Sequence, residues 1–420
     1  MMIESKLVTV AAIVTSCMAT CAITRPAWAE DAGKSISRVP IVLTDAARAL
    51  HDRSLVIDGH NDMPWEVRQQ GSSNFEKMDI SQPQPTLQTD IPRLRAGGVG
   101  AQFWSVWVPV ELGYRGEALA TTLEQIDLVK SMIARYPETF GLALSADDIE
   151  RIHRDGKIAS LIGVEGGHSI EDSLVVLEKL YELGARYMTL THTDSLNWAD
   201  SATDKAQAGG LTPFGKEVVR KMNALGMLVD LSHVSAETMH DALDVTSAPV
   251  IFSHSSAMAV ADHPRNVPDD VLRRLRETDG VVMVNFFSGY IVPEAVKTVS
   301  EGMELERQLK SQMLSDEQIR AELRRWKIKN PYPRGAIHDL LDHIDHVAKL
   351  AGVERVGLGS DYDGVSVLPK QLDDVSSYPY ITQGLMDRGY SEQEIQGILG
   401  GNLLRVFRGA EAAAQNKSSD

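Results

Sequence analysis

The chain has 420 residues, 43% of them hydrophobic and 24% charged, with 32 Gly and only two Cys. That balance is ordinary for a globular protein and excludes collagenous, disordered and disulfide-stapled chains. With 42 Lys and Arg against 58 Asp and Glu the net charge is −16, which excludes nucleic acid or an anionic membrane as main partner, because phosphate binding needs a positive field.

The first thirty residues read as an export signal. Lys6 supplies a positive start, and Leu7 to Val14 an apolar stretch too short and too rich in Thr to span a bilayer. Ala27-Trp28-Ala29 follows as an A-x-A cleavage site, giving a signal peptide over residues 1–29. Both cysteines, Cys17 and Cys21, fall inside it. Cleavage would therefore leave no thiol for disulfides, thiolate zinc sites or nucleophilic attack. The alternative is that Val14-Thr15-Ser16-Cys17 acts as a lipobox and Cys17 becomes an acylated N-terminus. The expected location is the bacterial periplasm or the medium. No later run is long and apolar enough to be a transmembrane segment.

From there a short apolar run followed by a helical pattern recurs eight times. The runs are Ser54–Ile57, Val99–Val108, Lys157–Val164, Ala185–Leu190, Gly226–Leu231, Pro249–Ser253, Gly280–Phe286 and Arg355–Leu358. Such Val/Ile/Leu-rich runs fit strands buried on both faces of a parallel sheet. Between them, Ala118–Tyr136 places Leu119, Leu123, Ile126, Val129 and Ile133 at helical spacing. Ser169 is positioned to cap a helix over Ile170–Leu183, and Thr212-Pro213 to open one over Phe214–Leu225. Ser235 precedes Thr238 to Leu243, and Pro268–Arg276, Ile337–Ala351 and Ser391–Phe407 complete the helices. Eight strands alternating with helices predict an α/β fold, a closed (β/α)8 TIM barrel, as a single domain over residues 30–409.

An insertion around residues 288–336 breaks the alternation. Its charged stretch Ser300–Lys329, closed by Pro331 and Pro333, is expected to form a solvated helix. A barrel-top lid or subunit contact is the sharper alternative, because long insertions in compact domains are often functional. The tail over residues 410–420 is expected to be disordered.

In this architecture active sites lie at the C-terminal ends of the strands, so the residues closing each run carry the functional argument. The first run leads into Asp58-Gly59-His60-Asn61-Asp62, the third into Glu165, the fourth into His192, the fifth into His233, the sixth into His254 and the eighth into Asp361 and Asp363. If the first strand continues through His60 and Asp62, both side chains point into the barrel. Three His and two carboxylates without Cys suit Zn²⁺, with Mn²⁺ or Co²⁺ as possible substitutes. Five ligands are too many for one catalytic zinc, which usually keeps three plus water. Two ions sharing a carboxylate account for them: His60, Asp62 and Glu165 on one, Glu165, His233 and His254 on the other. Such pairs sit roughly 3.5–4 Å apart around a bridging water or hydroxide and generate a nucleophile at neutral pH.

A carboxylate free of metal is then needed to shuttle a proton to the departing amine. Asp361 is the expected catalytic group, with Asp363 as fallback further out in the loop. His192 is expected to donate a hydrogen bond to the developing oxyanion. The spacing of His168, in Glu165-Gly166-Gly167-His168, puts it in a turn and not among the expected ligands. His343 and His346 are expected to share a solvated helix face, with a surface ion as the alternative. Adjacent Ser253 and His254 should face opposite ways on their strand, which argues against a serine nucleophile. The motifs H-E-x-x-H, G-x-x-x-x-G-K-[ST] and G-x-S-x-G are absent, and Gly357-x-Gly359 lacks the third glycine of a dinucleotide site.

Together Asp58-Gly59-His60-Asn61-Asp62, Gly163-Val164-Glu165-Gly166, Leu190-Thr191-His192, Asp230-Leu231-Ser232-His233, Ser253-His254-Ser255 and Gly359-Ser360-Asp361-Tyr362-Asp363-Gly364 resemble the membrane (renal) dipeptidase family, the M19 metallopeptidases. The resemblance runs in order from about Ser54 to Phe407. It implies a (β/α)8 hydrolase with two zinc ions that cleaves dipeptides with broad side-chain tolerance, accepts a D-residue at the C-terminal position and, in some members, opens β-lactams. It also implies the five ligands named above with Glu165 bridging, His192 as a substrate contact and Asp361 as proton shuttle. Arg265, in His263-Pro264-Arg265-Asn266, resembles the arginine that receives the dipeptide's carboxylate, a role its bidentate fork suits. A homodimer is a further implication. The disulfides and lipid anchor of animal members are not, since the part after the leader has neither Cys nor an apolar tail. A related barrel amidohydrolase acting on cyclic amides, lactones or phosphoesters, and a non-catalytic metal- or peptide-binding barrel, are the alternative readings.

Overall fold

The structure is a computed structural model and describes residues 38–312 and 314–417. The leader, with Cys17, Cys21 and the A-x-A site, lies outside the described residues, as do 418–420. The strands among those described are β1 (Val56–Asn61), β2 (Val99–Trp107), β3 (Phe140–Leu142), β4 (Ile158–Glu165), β5 (Ala185–Thr189), β6 (Leu228–Asp230), β7 (Ile251–Phe252), β8 (Val281–Val284) and β9 (Val356–Leu358). All pair in parallel, and β2 with β4 closes a barrel of eight strands with helices around it. Each of the eight expected runs contributes one barrel strand. The additional short strand β3 pairs only with the first three residues of β4, and β5 takes over the same edge from Ile162.

The apolar runs are continuous because both faces are buried, and their two-residue period sorts them into two cores. Ala101, Phe103, Ala159, Leu161, Tyr187, Leu228, Ile251, Val281 and Met283 fill the barrel interior, where Leu403, Val406 and Phe407 join them. Trp104, Val106, Ile162, Val164, Val229, Val282 and Val356 face the helices. Following the inward face of β4 gives Ala159, Leu161, Gly163 and finally Glu165 at the rim. Small residues let the upper interior close. A Cβ on Gly163 would come within 2.0 Å of the Tyr187 ring, and one on Gly359 within 1.9 Å of the Ser253 carbonyl oxygen.

Helix starts follow their caps. The helices expected after Thr212 and Ser235 start there, with Thr212 accepting from Gly215 N and Ser235 from Thr238 N. The helix expected from Ile170 begins at Leu174, and its cap is Ser173 in place of Ser169. The cause is a 3-10 turn over Gly167–Ile170, followed by Glu171 and Asp172 with φ of 47° and 55°. The charged stretch of the insertion expected as one solvated helix is divided between Pro293–Ser311 and Asp316–Lys329, after a short helix Ser288–Ile291. Trp326 packs onto Gly302, and Ala295, Val299 and Leu309 are buried. Lys310 pairs with Glu111 at 3.0 Å, and Arg307 donates to the Thr203 carbonyl, holding the helix Pro293–Ser311 across the barrel mouth. The tail expected to be disordered from Ala410 instead continues the helix Asn402–Lys417. Ala410 is buried there, and the Glu411 carboxylate accepts from Ala146 N at 3.2 Å.

Because the Gly359 contact is with backbone, a side chain there cannot be relieved by a rotamer change. Gly359→Ala is expected to lower unfolding free energy by about 3 kcal/mol, read as a lower urea midpoint. A midpoint equal to wild type would contradict this packing.

Candidate metal centre

Strand ends deliver the donors. His60 is the inward residue near the end of β1. The strand stops at Asn61, one residue earlier than the expected continuation, and Asp62 starts the next helix without capping it. Asp62 still faces the barrel mouth, because its N–H donates to Tyr362 O at 2.8 Å and extends the pairing toward β9. His60 Nε2 then lies 3.2 Å from Asp62 Oδ2 and 3.3 Å from Glu165 Oε2. The other oxygen of Glu165, Oε1, lies 3.0 Å from His233 Nε2 and 3.3 Å from His254 Nε2, and those two nitrogens are 2.9 Å apart. His192 Nε2 stands 3.7 Å from the same oxygen. Asp361 completes a cluster with His60 and Asp62. The residues picked out along the sequence therefore meet at one place.

His233 and Asp361 hold φ of 69° and 65°, a left-handed conformation that non-glycine residues rarely adopt and that concentrates at functional sites.

Partners behind the imidazoles set their orientation. His60 Nδ1 meets the Tyr187 hydroxyl at 2.8 Å, so Nε2 is the nitrogen turned into the site. Ser253 Oγ donates to Asp230 Oδ2 at 2.6 Å and lies 2.8 Å from His254 Nδ1. Adjacent Ser253 and His254 thus do touch, against the expectation from strand alternation. The strand ends at Phe252, and the contact uses the imidazole edge away from the donor cluster. Ser253 is fully buried, a positioning group rather than a nucleophile. Ser105 Oγ donates to Glu165 Oε2 at 3.0 Å, and Asn285 Nδ2 donates to Asp361 Oδ2 at 2.8 Å. Tyr187, Ser105 and Asn285 were not singled out from the sequence, and Asp230 entered only within the motif Asp230-Leu231-Ser232-His233, without a role of its own. Ser105, Asp230 and Asn285 carried a signal, as polar residues inside the second, fifth and seventh apolar runs.

The electrostatics call for positive charge. Burial alone would raise the Glu165 carboxyl, but His60, His192, His233 and His254 hold it well below the usual carboxylate range. Burial would lower His60, yet Tyr187, Glu165 and Asp62 carry it well above its ordinary value. His233 and His254 are pushed well down, by burial and then by Arg265 and His60 respectively, which leaves both neutral, as metal ligands must be. His60 Nε2 makes no hydrogen bond despite its two carboxylate neighbours. A buried imidazole nitrogen without a partner, facing two carboxylates, fits a divalent cation. Asp361 is pushed up to about 8 by burial and by Asp62.

Asp62, Glu165, His192, His233 and Asp361 line a cavity of about 350 Å³ with Trp65, Trp107, Arg265, Tyr290 and Met303. Arg265 is buried and has no carboxylate partner among the described residues. It donates to Ser255 Oγ and His254 O, both at 3.3 Å, with its guanidinium 5.3 Å from the Tyr290 ring centre. Asp363 lines the cavity too, but its Oδ1 accepts from Gln88 N at 2.6 Å, and its own N–H donates to Gln88 Oε1.

Three other histidines are held by structural partners. His168 lies 2.9 Å from Val108 O, and burial brings it down to about 4. His343 is not on a solvated face: it is fully buried, accepting from Ala257 N and contacting Ile291 O. His346 pairs with Asp269 at 2.7 Å.

A (β/α)8 barrel with nitrogen and oxygen donors converging at the C-terminal rim is the architecture of a metal-dependent hydrolase. The family model of the membrane dipeptidases (peptidase family M19) matches residues 44–420. An uncharacterized dipeptidase of Schizosaccharomyces pombe is 42% identical over 370 residues, 85% of this chain and 81% of the relative. Dipeptidase 3 of Mus musculus is 40% identical, over 88% of this chain and 67% of its own. Among solved structures, the "probable dipeptidase PvdM" of Pseudomonas aeruginosa superposes with a TM-score of 0.77 at 25% identity, covering 88% of this chain and 98% of that one. A metallo peptidase of Rhodobacter sphaeroides, liganded with a phosphinate mimic of L-Ala-D-Ala, shares the fold with a TM-score of 0.70 at 21% identity, over 85% and 99% of the two chains. The chain belongs to the membrane dipeptidase (M19) family and is a metallo-dipeptidase.

Tyr187→Phe keeps the ring and removes the oxygen that fixes His60. Metal affinity is expected to fall about 10–100-fold in a chelator-competition titration, and unchanged affinity would contradict the positioning role.

Proposed function

We propose that the chain is an exported binuclear zinc dipeptidase acting on L-Xaa-L/D-Yaa dipeptides. The observation that carries this reading is the divided carboxylate: Glu165 presents Oε2 to His60 and Oε1 to His233 and His254. His60, Asp62 and Glu165 would hold one ion, and Glu165, His233 and His254 the other. Zinc bound there would bring the pKa of water toward neutrality and polarise the scissile carbonyl; Mn²⁺ or Co²⁺ would suit the same donors.

The protein groups do the rest. Arg265, a buried guanidinium without an anion, takes the substrate's terminal carboxylate in a bidentate grip. His192, at the edge of the cluster, donates to the carbonyl oxygen as negative charge develops. Asp361, held by Asn285 and raised toward neutral pH, carries the proton to the departing amine. Asp361, rather than Asp363, clusters with His60 and Asp62, which favours Asp361 for this task. Trp107 and the helix Pro293–Ser311 narrow the mouth and limit water.

Chelation is expected to abolish dipeptide hydrolysis and Zn²⁺ to restore it, whereas full activity in metal-stripped protein would contradict the reading. Asp361→Asn is expected to keep its metal while turnover falls roughly 10²–10⁴-fold. Undiminished turnover would move the role elsewhere. Export rests on the leader, with cleavage after Ala29 and periplasm or medium as destination. The intact mass of the exported form should place its N-terminus at Glu30; an acylated Cys17 would contradict this.

A further inference from the structure

A second chamber of about 250 Å³ adjoins the catalytic cavity. Phe287, Val299, Leu323, Trp326 and Tyr332 line it, with Glu306 and Lys327 as its charged members. The insertion builds most of it: Val299 lies on the helix Pro293–Ser311, and Leu323 and Trp326 lie on Asp316–Lys329. The indole reaches the chamber because Gly302 lets the helices approach; a Cβ there would come within 2.9 Å of Trp326. Four residues belong to both spaces, Tyr290, Met303, Gly364 and Val365.

We propose that this chamber receives the side chain of the substrate residue that carries the free carboxylate, so that the enzyme prefers dipeptides with a large apolar C-terminal residue. The inference rests on the roles given above to Arg265 and Asp361. In a dipeptide, the nitrogen released by hydrolysis and the free carboxylate belong to the same residue, one Cα apart. With the nitrogen at Asp361 and the carboxylate at Arg265, that Cα lies between them. Tyr290 marks the Arg265 end of this interval, its ring centre 5.3 Å from the guanidinium. Gly364 marks the other end, where an added Cβ would meet Asp361 Oδ1 at 2.7 Å. Both residues are shared with the chamber, so one of the two remaining directions on that Cα faces it, and that direction is assigned to the side chain of an L-residue. Each methylene in an apolar pocket discriminates about 10–200-fold, enough to set a strong preference.

The test compares kcat/KM of the zinc-loaded enzyme on Ala-Phe, Ala-Gly and Phe-Ala. Wild type is expected to favour Ala-Phe over Ala-Gly by about ten-fold or more. Val299→Trp, which fills the chamber without bordering the catalytic cavity, should lower that ratio by about ten-fold while the Phe-Ala to Ala-Gly ratio holds. Trp326→Ala, on a half-buried helix face outside the barrel, should lower the same ratio by removing a wall, and it decides the matter should Val299→Trp not fold. Ratios unmoved in a folded variant, or loss on Phe-Ala instead, would overturn the chamber's assignment and leave the dipeptidase reading intact. A wild-type enzyme that cleaves none of the three would overturn both.

Discussion

Glu165 is a buried carboxylate with four imidazoles around it, and the upper barrel is arranged to keep it ionised and divided between two sides. It sits at the rim because β4 alternates inward and outward, and Ala159, Leu161 and Gly163 occupy the inward places below. Register with β2 sets Trp107 beside it, and Ser105 donates to one of its oxygens. Gly163, by having no side chain, makes room for the Tyr187 ring that orients His60. An isolated carboxylate at that depth would be neutral. Its ionisation depends on cationic or metal-bound neighbours, so the architecture and the chemistry are one requirement.

The molecule divides its labour. Barrel strands, buried on both faces, supply donors whose positions are fixed by sheet register and by the chain from Asp230 through Ser253 to His254. The helical insertion supplies walls. The ion pair of its Lys310 with Glu111 and the Arg307 hydrogen bond to the Thr203 carbonyl hold it over the mouth, where its residues meet the substrate's periphery rather than the reacting bond. Changes in the insertion can therefore alter selectivity without disturbing the donors.

Much of this was legible in the sequence, for physical reasons. Strands of a parallel barrel are apolar on both faces, so the eight runs stood out, and the polar residues closing them were the donors. The parts that escaped depend on contacts the chain order does not display. Tyr187 reads as one more core residue in an apolar run, and its role appears only when Gly163 and His60 come beside it. Strand alternation puts Ser253 on the side away from His254, but the strand ends one residue earlier and the hydroxyl meets His254 Nδ1. Ser169 has the composition of a cap, but two left-handed residues move the cap to Ser173 and the helix start to Leu174. The continuation of the last helix past Ala410 was hidden because a run of Ala, Gln and Asn gives no sign of the burial awaiting Ala410.

The most direct test of the divided carboxylate is anomalous diffraction from crystals of the zinc-loaded protein, collected on both sides of the zinc edge. Two anomalous peaks flanking Glu165, one beside His60 and Asp62 and one beside His233 and His254, are the predicted result. A single peak, or none with Glu165 bonded only to protein groups, would contradict the account.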